Sequence, residues 1–188
     1  MTHPAAPPRR VHARRRAAAL AAGIALAAVL RATAAPASLP EFTHPQPASW
    51  LNGPPLEAAA LRGRPVLVEF WTSECSNCLA SLPWMQRVAA RYRAQGLAIV
   101  GVHTPELGIE RDPAHVRDAV RRLGIEYPVM LDADYSYWRA LDNHYWPAFY
   151  LYDPAGRLVG TRLGELHAGE PAADAFERQI AGLTVPGR

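Results

Sequence analysis

The sequence predicts an α/β protein with a central mixed β-sheet flanked by helices on both faces. Three observations predict it. Two short apolar, β-branched runs are each followed by a stretch with apolar residues at helical spacing. A strand, a tight turn and a return strand come next, and an amphipathic stretch closes the chain. Parallel β-α-β units followed by an antiparallel hairpin imply a mixed sheet with both faces covered. Of 188 residues, 49% are hydrophobic and 20% charged, the balance of a folded chain that can fill one core without metal or disulfide staples.

The elements follow in order. Residues 1–34 have the layout of a signal peptide: Arg9, Arg10, Arg14, Arg15 and Arg16 precede an apolar run from Ala17 to Leu30, and small residues follow Arg31, with cleavage expected after Ala34. The run is short for a bilayer span, so an uncleaved membrane anchor is the lesser alternative. The arginines also match a twin-arginine signal loosely, and the export route stays open. Residues 35–49, with Pro36, Pro40, Pro45 and Pro47, read as a flexible Pro/Ala-rich leader. The folded domain is expected over 50–184.

Pro65 to Trp71 is a strand buried on both faces, hence central. Leu79, Leu82, Met85, Val88, Ala89 and Tyr92 mark a helix that stops at Gly96. Leu97 to His103 is a second buried strand, and Pro113 to Leu123 an amphipathic helix. Pro128 to Leu131 is a short strand, and Tyr135 to Leu141 a helical turn or two. Pro147 to Tyr152, a turn at Asp153–Gly156 and Arg157 to Arg162 form a hairpin, and Glu170 to Leu183 is the closing helix.

The net charge is +3, yet six of the 20 basic residues lie before residue 35. Residues 35–188 carry 14 arginines against 17 acids, so the domain is weakly acidic and nucleic-acid binding loses its main argument. No lysine occurs, and the arginines read as codon usage rather than a phosphate-binding surface.

The two cysteines, Cys75 and Cys78, lie three residues apart where the central strand gives way to the long helix. At that spacing the sulfurs can close a small disulfide ring. The first faces the unpaired N–H groups and positive end of the helix, which favour a thiolate. Cys75 is then the nucleophile and Cys78 the resolving thiol. A three-residue loop gains little stability from a cross-link, and no second Cys-x-x-Cys completes a zinc site. His103, His115, His144 and His167 are scattered and are expected at the surface or hydrogen-bonded.

The stretch Val68-Glu69-Phe70-Trp71-Thr72-Ser73-Glu74-Cys75-Ser76-Asn77-Cys78 resembles the thioredoxin superfamily, with Pro83 five residues after Cys78 and Trp146-Pro147 ahead of a strand. Within it, Gly101-Val102-His103-Thr104-Pro105-Glu106, Tyr127-Pro128-Val129 and Asn143 to Leu151 resemble the extracytoplasmic TlpA-like branch, closest to the thioredoxin-like domain of DipZ proteins. The resemblance implies a thioredoxin-like fold over roughly 50–183 and a redox-active Cys75–Cys78 disulfide with no other cofactor. It implies that Glu69 moves the proton of Cys78 and that Pro147 forms a cis-proline loop facing the disulfide. Trp71 and Trp146 are the expected docking surfaces for substrate. Glu106, Trp138 and Asn143 match family positions and carry no assigned role.

The function expected is an extracytoplasmic, periplasmic thiol:disulfide oxidoreductase acting as a reductase on protein disulfides, monomeric, without nucleic acid, and reset by a membrane electron donor of the CcdA or DsbD type. DipZ proteins carry such a membrane part fused to this domain; the present sequence stands without it. An oxidant or isomerase of the same fold is the alternative, ranked lower because Ser76-Asn77 lacks the histidine of strong oxidants. A peroxidase would need Pro-x-x-x-Thr-x-x-Cys; Thr72 fits, but Val68 holds the proline position. A non-catalytic copper or haem-assembly binder would use Cys75, Cys78 and one histidine.

Overall fold

The computed structural model describes residues 37–184. The signal peptide expected over 1–34 lies outside them. Among the described residues no helix is long and apolar enough to cross a membrane.

Six strands form one mixed sheet in the order β1-β4-β3-β2-β5-β6: β1 Trp50–Leu51, β2 Val66–Trp71, β3 Ala98–His103, β4 Val129–Leu131, β5 Ala148–Tyr152 and β6 Leu158–Leu163. Strands β2, β3 and β4 run parallel, and β1, β5 and β6 are antiparallel to their neighbours. Every residue of β2 is buried, as its uninterrupted apolar run requires of the strand at the centre of the sheet. Four helices connect and cover the strands: α1 Ser76–Tyr92, α2 Pro113–Arg122, α3 Ser136–Ala140 and α4 Pro171–Leu183. Their limits fall within three residues of the sequence expectation. Gly96 ends the α1 segment in the left-handed region at φ 97°, where a side chain is disfavoured.

The pleat divides the core in two. Leu67 and Trp71 of β2 face a layer built from Trp84, Met85 and Val88 of α1, Val116 and Val120 of α2, and Phe176 and Ile180 of α4. Val66, Val68 and Phe70 face the opposite layer with Tyr137, Leu141, Tyr150 and Phe42. The crossovers β2-α1-β3 and β3-α2-β4 step in the same direction across the sheet. A common handedness therefore puts both helices on one face. Among the described residues the second face carries the five-residue α3, and Leu61 from the turn after β1 and chain from ahead of β1 add to its cover.

That cover corrects the leader expected over 35–49. Residues 37–49 pack on the sheet. Leu39 N–H donates to Gly156 O at 2.8 Å, and Leu158 N–H donates to Ala37 O at 2.9 Å. Phe42 is 7% exposed and lies between Trp50 and Tyr137 at ring separations of 5.5 and 5.1 Å. His44 Nε2 sits 3.4 Å from Asp132 and 3.2 Å from Asp134, beside the start of α3. Prolines suppress regular structure in this segment, but one aromatic side chain with a ready-made slot supplies enough burial to order it.

Candidate active site

The centre of the sheet delivers the cysteines. Strand β2 ends at Trp71, three residues turn, and Cys75 becomes the N-cap of α1. Its sulfur accepts the N–H of Cys78 at 3.3 Å, so it occupies the place where the first turn of the helix has donors to spare. Both thiols are free; Cys75 is half-buried and Cys78 is 4% exposed. Burial, then the hydrogen bond with Cys75, push the Cys78 thiol well above its ordinary range. The backbone of Thr72 pulls the other way, and the charges of Cys75 and Glu69 add to the rise. One sulfur therefore meets solvent beside the helix end, and the other is held as a thiol.

Glu69 lies beneath them, two residues before the end of β2 and 2% exposed. Burial pushes its carboxyl up, the phenol of Tyr127 donating to Oε2 at 2.7 Å pulls it partly back, and it settles at about 7. A cavity of about 10 Å³ joins Glu69 to Cys78, walled by Trp71, Leu82, Ile125 and Tyr127 among others. Such a volume admits about one water molecule. Glycine at 101 lets these rings close over the strand: a Cβ there would stand 3.1 Å from both Trp71 Nε1 and Tyr127 Cε2.

The antiparallel pairing sets Ala148 beside Phe70, so the segment before β5 lies at the end of β2 that leads to the cysteines. The Trp146–Pro147 bond is cis. Pro147 is buried, and Trp146 is half-buried, with its Nε1 donating to Thr104 O at 3.0 Å and its ring 4.2 Å from that of Trp138. Asn143 is 1% exposed. It accepts the Tyr150 hydroxyl at 2.9 Å and donates to Tyr145 O at 3.1 Å, so it shapes the loop that carries Pro147. Trp138 braces Trp146. Glu106 is exposed, and only its backbone joins the network below.

Two expectations need correction. Trp71 is 3% exposed and belongs to the core layer of Cys78, with its ring 5.1 Å from that of His103, so it offers no docking surface. A strand buried on both faces leaves its last aromatic residue no route to solvent. His103, expected at the surface or hydrogen-bonded, is 1% exposed and its Nε2 has no hydrogen-bond partner among the described residues. Burial drives its pKa down to about 4 against the pull of Glu110, 4.0 Å away. His115 instead meets Glu74 at 3.0 Å, tying α2 to the residue next to Cys75.

Glu110 escaped the sequence reading. It comes from the turn Gly108–Arg111, is 2% exposed, and collects donors from two loops. Oε1 accepts from the Thr72 hydroxyl, from Ser73 Oγ at 3.1 Å and from Glu74 N at 2.9 Å. Oε2 accepts from Glu106 N at 2.9 Å and Leu107 N at 2.8 Å. Burial alone would push the carboxyl up; the Thr72 hydroxyl and the three amides outweigh it and bring the pKa to about 2. Glu110 lies 35 positions after Cys75 and one acid among 17, and no spacing rule singles it out. Thr72, the residue that fitted the peroxidase pattern, spends its hydroxyl on this carboxylate.

Comparison with known proteins agrees with the geometry. The Redoxin family model matches residues 34–176. Protein DipZ of Mycobacterium bovis is 41% identical over 141 residues, 73% of this chain and 20% of its own length. The chain thus spans about a fifth of that relative. The thiol-disulfide oxidoreductase YkuV of Bacillus subtilis is 30% identical over 120 residues, covering 64% of this chain and 79% of YkuV. The solution structure of a thioredoxin-like protein in the oxidised form superposes with a TM-score of 0.65 at 22% identity, over 80% of this chain and 97% of that one, and shows the fold.

Proposed function

The chain belongs to the Redoxin family of thioredoxin-like thiol-disulfide oxidoreductases, and from that premise we propose that it works outside the cytoplasm as a reductase of protein disulfides. The observation that carries this reading is the asymmetry of the two sulfurs: Cys75 half-exposed at the cap of α1, Cys78 buried over a carboxyl that titrates at about 7.

The Cys75 thiolate attacks one sulfur of a partner disulfide, forming the mixed disulfide and releasing the first partner thiolate. Cys78 then loses its proton to the Glu69 carboxylate through the cavity between them and attacks the Cys75 sulfur. The Cys75–Cys78 disulfide forms and the second partner thiolate leaves. Two electrons and two protons from a donor restore the dithiol, with no cofactor beyond the couple itself. Pro147 and Trp146 present the loop that faces the incoming strand. The relatives' names support the chemistry. The charge pattern of residues 1–34 supports export, and the likeness to DipZ supports a membrane electron donor.

Glu69 is the acid that shares the cavity with Cys78, and no histidine lies between the cysteines. Strong oxidants owe their potential to a histidine there, and its absence disfavours a strongly oxidising couple. The test is the reduction potential of residues 35–188 equilibrated in glutathione or dithiothreitol buffers. A potential near ~−270 mV is expected, and one near ~−120 mV makes the protein an oxidant instead. Alongside it, Cys75→Ala should abolish disulfide reduction and Cys78→Ala should accumulate the mixed disulfide on a non-reducing gel. Full activity of Cys75→Ala overturns the mechanism.

A further inference from the structure

Four of the six large apolar side chains exposed among the described residues lie on segments that carry the site. Leu79, 38% exposed, follows Cys78 directly, and Tyr145, 55% exposed, precedes Trp146. Leu107 and Ile109, 51% and 56% exposed, stand on either side of Gly108 in the loop that delivers Glu110. Isolated exposed apolar residues are ordinary. A concentration on the loops around one reactive sulfur is not.

Leu107 and Ile109 have no part in the exchange chemistry, yet their loop is fastened to the nucleophile. Glu110 takes the N–H of Leu107 on one oxygen and that of Glu74, the residue before Cys75, on the other. A single buried carboxylate thus fixes both backbones at once. We propose that Leu107 and Ile109 form a docking platform for an apolar side chain flanking the disulfide of the partner protein, held in register with Cys75 by Glu110.

This inference rests on the reductase reading. A partner sulfur must come within bonding distance of Cys75, so the chain that carries it lies across the surface beside the nucleophile. Apolar surface there is wet before the encounter and dry during it, which favours partners that bring apolar side chains to it. The platform selects an extended segment with leucine-like neighbours to its cysteine over one with serine-like neighbours. Glu110 acts through the backbone of the two loops and is a positioning residue.

The test compares two disulfide-bridged peptides that differ only in the residues flanking the cysteines, leucine in one and serine in the other. The wild-type protein should reduce the leucine peptide with a kcat/KM about tenfold higher, the difference residing in KM and amounting to about 1.4 kcal/mol. The double variant Leu107→Ser with Ile109→Ser should bring the ratio of the two rates towards one. Both residues are exposed, so the variant is expected to fold. Glu110→Gln keeps the platform but removes the charge on which five donors converge, and it should also lower the ratio. A double variant with the wild-type ratio overturns the platform, and a folded Glu110→Gln with the wild-type ratio overturns its anchoring. Reduction of glutathione disulfide by the wild type separates the two readings. If it proceeds without preference between the peptides, the platform alone falls; if it does not proceed, the reductase reading falls with it.

Discussion

In the proposed mechanism Glu69 and Cys78 form a pair because both are buried. Taking a carboxylate out of water raises its pKa, and taking a thiolate out of water does the same to the thiol, so neither holds its charge cheaply. A proton that moves between them leaves one buried charge in either state. Burial raises Glu69 to about 7, so near neutral pH it can accept the proton that Cys78 must lose in the proposed mechanism. Resolution of the mixed disulfide should therefore speed up as pH rises through about 7. Glu69→Gln should slow it by about 10²-fold or more and remove that limb of the profile. Single-turnover kinetics across pH 5 to 9 check this, and a variant that keeps the limb assigns the proton to another group.

At the level of elements, the contest is between the short α3 and the sheet face it has to cover. Five residues of helix cannot hide Val68, Phe70 and Tyr150, and Phe42 from the segment ahead of β1 and Leu61 from the turn after it add cover. Phe42→Ala should cost about 3 kcal/mol, the usual loss for a buried phenylalanine, measured by urea unfolding. A loss under about 0.5 kcal/mol would show that residues 37–49 lie on the sheet without holding it. Elements also decide what the site can touch. Strand β2 buries Trp71 at its end, while the loop before β5 lifts Trp146 to the surface and lets Trp138 brace it from below. Of the two tryptophans expected from the sequence to dock substrate, only Trp146 reaches solvent.

At the scale of the whole fold, three buried ionisable groups contribute to how stability follows pH, and their signs differ. Glu110 has its pKa lowered to about 2, so its contribution is complete above its unfolded value near 4.5 and is lost as pH falls towards 2. His103, lowered to about 4 from 6.5, is kept neutral by burial. The unfolded chain binds its proton first, and stability falls as pH drops from 6.5 to 4. Glu69, raised to about 7, acts in the opposite sense, because the unfolded chain loses that proton first and stability falls as pH climbs from 4.5 to 7. Between 4.5 and 6.5 His103 and Glu69 oppose each other, so thermal melts should give a nearly flat wild-type profile there and a decline below 4.5. Glu69→Gln should replace the flat region with a stability that rises steadily with pH; an unchanged profile in that variant would show that Glu69 is not the group that titrates.

The sequence by itself determined the parts that are written locally. Period-2 and period-3.6 patterns, Gly96 and the proline positions placed nearly every strand and helix, because backbone preference and one-sided burial act over a few residues. The motif around Cys75 and Cys78 located the chemistry for the same reason: a strand end, a helix start and a three-residue spacing are neighbours in the chain. Tertiary structure alone decided what depends on distant segments meeting. It folded residues 37–49 onto the sheet, shut Trp71 and His103 inside, set Tyr127 on Glu69, and brought Glu110 from another loop to hold the approach to Cys75. Burial and hydrogen-bond partners are properties of three-dimensional neighbourhoods, and no pattern in one stretch of chain encodes which remote residue will complete them.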